Sequence, residues 1–152
     1  MSSVGVLLVD DFEPWRCFVS STLKHNPGCQ VIGEVSDGLR AVLKAQELQP
    51  DLIVLDIGLP RLNGIEAARQ IRKVAPNSKI LFLTENHSPD IAAKALSMGA
   101  RGYVIKTDAG NELLAAVKAV LQGGEFVSAR LTSREFTRTS DAQRSLLAVD
   151  AD

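Results

Sequence analysis

Four apolar residues, Leu52-Ile53-Val54-Leu55, run straight into a carboxylate, Asp56, and then into Gly58 and Pro60. A run this short, with two β-branched members and no polar side, suits a strand buried on both faces in the middle of a parallel sheet. Gly58 and Pro60 make the chain turn at once, so Asp56 is left at the C-terminal mouth of that strand. In open α/β sheets this mouth is where ligands bind.

The rest of the chain repeats the same pattern. Val4 to Val9 is a second apolar run, and it stops on Asp10-Asp11. From Pro14 a helix fits, with Trp15, Phe18, Val19 and Leu23 on one side and the proline in the first turn, where its missing N–H costs nothing. Asn26-Pro27-Gly28 ends it. Gln30 to Val35 reads as a strand, and Leu39, Val42, Leu43 and Leu48 mark a second helix that stops before Pro50. After the central strand, Gly64 to Ala75 is a third helix with Ile65, Ala68, Ile71 and Ala75 inward. Ile80 to Thr84 is a strand, Asp90 to Met98 an Ala-rich helix, and Gly99 suits a left-handed cap. Gly102 to Ile105 is a brief fifth strand ending on Lys106. A fifth helix from about Asn111 to Gln122 turns Leu113, Val117, Val120 and Leu121 inward.

Five strands alternating with five helices through short connections imply an α/β fold, a doubly wound parallel sheet with right-handed crossovers. The flavodoxin-like (βα)5 arrangement with strand order 2-1-3-4-5 is the expected topology. A length of 152 residues fits one such domain, 1–124, followed by a tail, 125–152, that is partly disordered or forms one short helix over Ser140 to Val149.

Composition narrows the function classes. Hydrophobic residues at 45 % and charged residues at 23 % are ordinary values for a globular protein, so neither a disordered nor a fibrous class is suggested for the chain as a whole. A net charge of −1 gives no footprint for nucleic acid bound by this chain itself, and none for an anionic membrane. No basic stretch precedes a long apolar segment at the start, and no run is long enough to cross a bilayer, so a cytoplasmic location is expected. Cys17 and Cys29 lack metal-ligand spacing; they read as two free thiols, with a disulfide as the alternative.

Four strand ends should converge on one cleft: Asp10 and Asp11, Asp56, Thr84 and Lys106. Three carboxylates this close repel one another, and protonation or a cation must relieve them. A hard divalent ion such as Mg²⁺ answers the need, since it takes one or two carboxylates, a carbonyl and waters, and completes its shell with phosphate oxygens. Asp56 then suits a nucleophile toward a phosphoryl group, forming an acyl phosphate. Mg²⁺ and Lys106 would neutralise the phosphoryl oxygens, and Thr84 would donate a hydrogen bond to one of them.

These residues carry a family resemblance. Asp10-Asp11, Asp56 followed by Leu59-Pro60 and Asn63-Gly64, Thr84, and Lys106 after Gly102-Tyr103-Val104-Ile105 resemble the receiver domain of bacterial two-component response regulators, over roughly Val4 to Gln122. The resemblance implies that Asp56 is the phosphoacceptor and takes its phosphoryl group from a histidine kinase. It implies Mg²⁺ held directly by Asp11 and Asp56, by Asp10 through water and by the Gly58 carbonyl. Thr84 and Tyr103 would be the switch pair, the ring swinging inward as the hydroxyl moves toward the phosphoryl group. The fourth helix, fifth strand and fifth helix would be the surface that changes, and a homodimer could form through it. The Gly-Tyr-Val-Ile-Lys context and Gly123 to Ser128 are similar to the subgroup usually fused to a LuxR/NarL-type helix-turn-helix output domain. Too few residues follow Gly124 for such a domain. The chain is then a stand-alone receiver or a piece of a longer protein.

Each residue alone has a plainer explanation. Asp10-Asp11 could cap a helix, Asp56 could be a turn residue, Thr84 a β-former and Lys106 a solvated charge; the coincidence at four neighbouring strand ends decides against them together. Tyr103 could equally be packing. His25 and His87 read as surface residues. Gly58 replaces a larger side chain found in many receivers and opens the site to water, and Asn86, two after Thr84, should also affect the lifetime of an acyl phosphate. An aspartyl-phosphate phosphatase on a similar fold is the alternative, but it needs a second Asp two residues after the nucleophile. Here Gly58 and Phe12 stand at those places. A flavin module would need a phosphate-cradling loop where Asp10-Asp11-Phe12-Glu13 would repel phosphate. In the tail, Arg130, Arg134, Arg138 and Arg144 are balanced by Glu125, Glu135, Asp141, Asp150 and Asp152, so no basic groove-binding element is expected.

Overall fold

Apolar side chains that alternate along each strand divide between two core layers, and this places helices on both faces of one sheet. A computed structural model of the chain describes residues 3–132. The strands are β1 (Val4–Val9), β2 (Cys29–Val35), β3 (Leu52–Leu55), β4 (Lys79–Thr84) and β5 (Gly102–Ile105), followed by a short β6 (Phe126–Val127). All pair in parallel, in the order β2-β1-β3-β4-β5-β6. The expected order 2-1-3-4-5 is therefore present, with a sixth strand added at one edge.

The helices are α1 (Glu13–Leu23), α2 (Gly38–Leu48), α3 (Gly64–Val74), α4 (Pro89–Ser97), α5 (Ala109–Leu121) and a four-residue α6 (Ala129–Thr132). Leu7, Val9, Ile53, Leu55, Phe82 and Ile105 point to the layer shared with Ala41, Ala45, Ala67, Ile71, Ala92 and Ala95 of α2, α3 and α4. Val6, Leu8, Leu52, Val54, Leu81, Leu83 and Val104 point the other way, onto Val19 and Leu23 of α1 and Leu113, Val117 and Val120 of α5. This is the period-2 alternation of a strand buried on both faces.

Helix starts follow from capping side chains. Asp37 accepts from the Arg40 N–H at 2.8 Å, Asn63 from Glu66 at 2.9 Å and Ser88 from Ile91 at 3.4 Å. Pro14 and Pro89 lie in the first turns of their helices. Gly99 ends α4 at φ 102°, the left-handed region expected of it.

The second helix corrects the sequence reading. Leu39 and Leu43, taken as markers of its apolar side, are 41 % and 65 % exposed, while Ala41 and Ala45 are fully buried. The small alanines let α2 sit close to the sheet and α3, and this turns the two leucines outward. Cys17 and Cys29 are both free thiols, and His25 and His87 are exposed. The expected Ser140–Val149 helix lies outside the described residues. Among those residues no helix is long and apolar enough to cross a membrane.

Candidate functional site

Asp10 leaves β1 and Asp56 leaves β3, adjacent parallel strands in which Val9 pairs with Leu55. Both carboxylates are buried, at 6 % and 7 % exposure. Backbone donors fix one oxygen of each: the Phe12 N–H on Asp10 Oδ1 at 2.9 Å and the Ile57 N–H on Asp56 Oδ1 at 2.7 Å. The opposing oxygens meet at a buried cation. Lys106 Nζ lies 2.7 Å from Asp10 Oδ2 and 3.1 Å from Asp56 Oδ2. Asp11 is exposed, yet one oxygen from each of Asp10, Asp11 and Asp56 can be chosen so that all lie within 4.8 Å of one another.

Two close approaches of the backbone shape this end of the sheet. Gly64 starts α3 directly behind β3, and a Cβ there would stand 1.9 Å from the Asp56 carbonyl oxygen. Only glycine permits that approach. Arg16 in α1 donates to the Asp10 carbonyl at 2.6 Å and pairs with Glu34 at 3.0 Å, tying the β1 exit to β2.

Burial and pairing act against each other at these charges. For Lys106 burial is the largest influence and disfavours its charge, but the hydrogen bond to Asp10 and the negative charges of Asp56 and Asp10 together outweigh it and hold the ammonium above its usual range. For Asp10 burial also dominates and pushes the carboxyl up, against the pull of Lys106 and the Phe12 N–H. The lysine keeps its proton, because losing it would leave two buried carboxylates without a counter-charge.

On the other half of the cleft the exposed Glu85 is the charged residue of the lining, and the groups that link β4, β5 and α4 are neutral. Thr84, at the end of β4 and 2 % exposed, accepts the Asn86 N–H on its Oγ1 at 3.2 Å. Tyr103 is fully buried, its ring 6.1 Å from that of Phe82, and its hydroxyl donates to the Asn86 carbonyl at 2.8 Å. Burial, then the Asp56 charge, push that phenol well above its ordinary value, so it stays protonated. The ring expected to swing inward is already inside. Asn86 thus joins Thr84 to Tyr103 through its backbone, and its Oδ1 accepts from Ser88, the cap of α4.

The cleft is lined by Asp11, Trp15, Asp56, Gly58, Thr84 and Lys106, among others, and holds about 610 Å³. A Cβ on the exposed Gly58 would meet nothing within 4 Å, so the entrance beside Asp56 is open. Of the seven residues singled out from sequence, Asp11, Asp56, Gly58, Thr84 and Lys106 line the cleft, whereas Asp10 and Tyr103 are not on its wall. Two contributors were missed. The helical pattern groups Trp15 with Phe18, Val19 and Leu23 on one side of α1, but its ring centroid is 4.9 Å from Lys106 Nζ. Ser128, fully buried after β6, accepts the Ile105 N–H at 2.8 Å and donates to Glu112 at 2.6 Å, which fastens the segment ahead of Lys106 to α5.

A doubly wound sheet whose switch-point carboxylates share one lysine, with a threonine and a buried tyrosine alongside, is the arrangement that the resemblance to receiver domains implies. Comparison with known proteins bears this out. Residues 6–118 match the family model of the response regulator receiver domain, and the chain belongs to that family. It is 36 % identical over 121 residues to the response regulator protein VraR of Staphylococcus aureus, covering 80 % of this chain and 58 % of that one. It is 31 % identical over 131 residues to the transcriptional regulatory protein DegU of Brevibacillus brevis, covering 86 % and 56 %. The chain therefore spans little more than half the length of these relatives. The crystal structure of a LuxR-family two-component response regulator from Aurantimonas sp. SI85-9A1 superposes with a TM-score of 0.81 at 32 % identity, covering 94 % of this chain and 99 % of that one. Receivers of this family are regulatory domains of two-component signalling, and nothing here favours the hydrolase alternative.

Proposed function

We propose that this chain is a cytoplasmic, phosphorylation-controlled switch in which Asp56 takes a phosphoryl group from the phosphohistidine of a histidine kinase. One observation carries the reading: a buried carboxylate at the sheet's switch point, with Lys106 Nζ 3.1 Å from Oδ2 and two further carboxylates beside it. The new O–P bond forms at Asp56 as the P–N bond to the kinase imidazole breaks, and the electron pair returns to that ring. Lys106 follows the negative charge from the carboxylate onto a phosphoryl oxygen. The oxygen donor set suits a hard divalent ion. Asp11 and Asp56 would hold Mg²⁺ directly, with the Gly58 carbonyl, and Asp10 through water. The bound ion would orient the phosphoryl oxygens and spread their charge.

In this reading the Thr84 hydroxyl turns to the phosphoryl group and gives up the Asn86 N–H. The loop that Asn86 shares with Tyr103 and the α4 cap then re-forms, and α4, β5 and α5 present the change to a partner, a second copy of the chain included. Incubation with acetyl phosphate and Mg²⁺ followed by intact-mass measurement tests the core of it. The wild type should gain one phosphoryl group and Asp56→Asn none; an equal gain by both would overturn the assignment.

A further inference from the structure

We infer that Trp15 is a positioning residue for Lys106: its indole face is the wall that keeps the ammonium group over Asp10 and Asp56, and so fixes where the lysine stands when a phosphoryl group arrives. The functional consequence rests on the phosphoacceptor reading of Asp56; the contact itself does not.

The ammonium group has three N–H donors, and carboxylates on one side engage it at 2.7 and 3.1 Å. The indole faces the same nitrogen, with its centroid 4.9 Å away, within the range over which an aromatic face attracts a cation. Lysine's long stem has many rotamers, and the carboxylates alone do not choose among them once a phosphoryl group competes for the ammonium. A π face does choose, because its attraction persists while the anionic partners change. Trp15 is itself well held. It follows Pro14 in the first turn of α1, its backbone N–H donates to the Phe12 carbonyl at 3.0 Å, and Phe18 packs edge-on against its ring at 5.5 Å. It also lines the open cleft, so the wall borders the space a phosphodonor must enter.

Two measurements test this. Trp15 is the sole tryptophan of the chain, so intrinsic emission reports on its ring directly. Lys106→Met keeps the stem and removes the charge, and its emission spectrum should differ from that of the wild type; identical spectra would overturn the contact. The second measurement is the rate of phosphoryl transfer from acetyl phosphate to Asp56 with Mg²⁺, acetate leaving. Trp15→Leu, which fills space without a π face, should be slower by about threefold to tenfold, and Trp15→Phe should recover most of the loss. Equal rates for the two variants would mean that Trp15 only packs, and would sink the positioning role. If the wild type takes up no phosphoryl group, the phosphoacceptor reading fails instead, and the emission comparison alone decides the contact.

Discussion

On the β1–β3 side of the cleft two buried carboxylates, Asp10 and Asp56, are each held by a fixed backbone donor and by one shared lysine. On the β4 side the linked groups, Thr84 and Tyr103, are neutral and joined through a single loop residue, Asn86. The first side is already assembled: Phe12 and Ile57 N–H groups and Lys106 leave Asp10 and Asp56 little room to move. The second is held by single hydrogen bonds of 3.2 and 2.8 Å, each worth on the order of 1 kcal/mol net. Bonds of that size can be exchanged when a better acceptor for the Thr84 hydroxyl arrives. The contrast supports a division in which one half performs phosphoryl transfer and the other reports it.

The sharpest way to break the charged half is to move its scaffold. Gly64→Ala sets a methyl group against the Asp56 carbonyl, and backbone cannot yield as a flexible side chain would. A loss of about 3 kcal/mol in denaturant unfolding is expected, the upper end for overpacking, with slower phosphorylation of whatever folds. Lys106→Met should cost somewhat less, about 2 kcal/mol, because the cleft lets water reach the stranded carboxylates. It also changes the pH profile. The folded-state ionisation of Lys106 lies above its ordinary 10.5, so its contribution is complete below that pH and is lost as pH rises through the folded-state value. Alkaline destabilisation should therefore be steeper in the wild type than in Lys106→Met, and parallel curves would show that the pair contributes nothing.

The neutral half should respond differently. Tyr103→Phe removes the donor to the Asn86 carbonyl and should cost only about 1 kcal/mol. Phosphorylation of Asp56 should stay within about twofold of wild type, since the phenol does not line the cleft. What should shrink is the change in amide exchange at the start of α4 on phosphorylation. If that change is undiminished while phosphoryl transfer slows, the two halves are not separable.

Much of this was legible in the chain because strand ends announce themselves. Asp10, Asp56, Thr84 and Lys106 each follow an apolar run, and parallel topology brings such ends together without further information. β6 was not legible: two residues, Phe126 and Val127, are too few to show a period, and their place in the sheet comes from pairing with β5. Leu39 and Leu43 misled because an amphipathic pattern counts large side chains, whereas α2 seats itself through Ala41 and Ala45. The pattern places Trp15 on the right helix, but its ring lies against the lysine that follows β5, far along the chain. The role of Asn86 as a bridge between Thr84 and Tyr103 rests on its backbone N–H and carbonyl, which every residue type but proline supplies.

The most direct test asks which carboxylate carries the phosphoryl group. Borohydride reduces an aspartyl phosphate to homoserine, and peptide mass spectrometry locates it. After treatment with acetyl phosphate and Mg²⁺, homoserine at position 56 alone is the predicted result; homoserine at position 10 or 11, or at none of the three, would contradict the account.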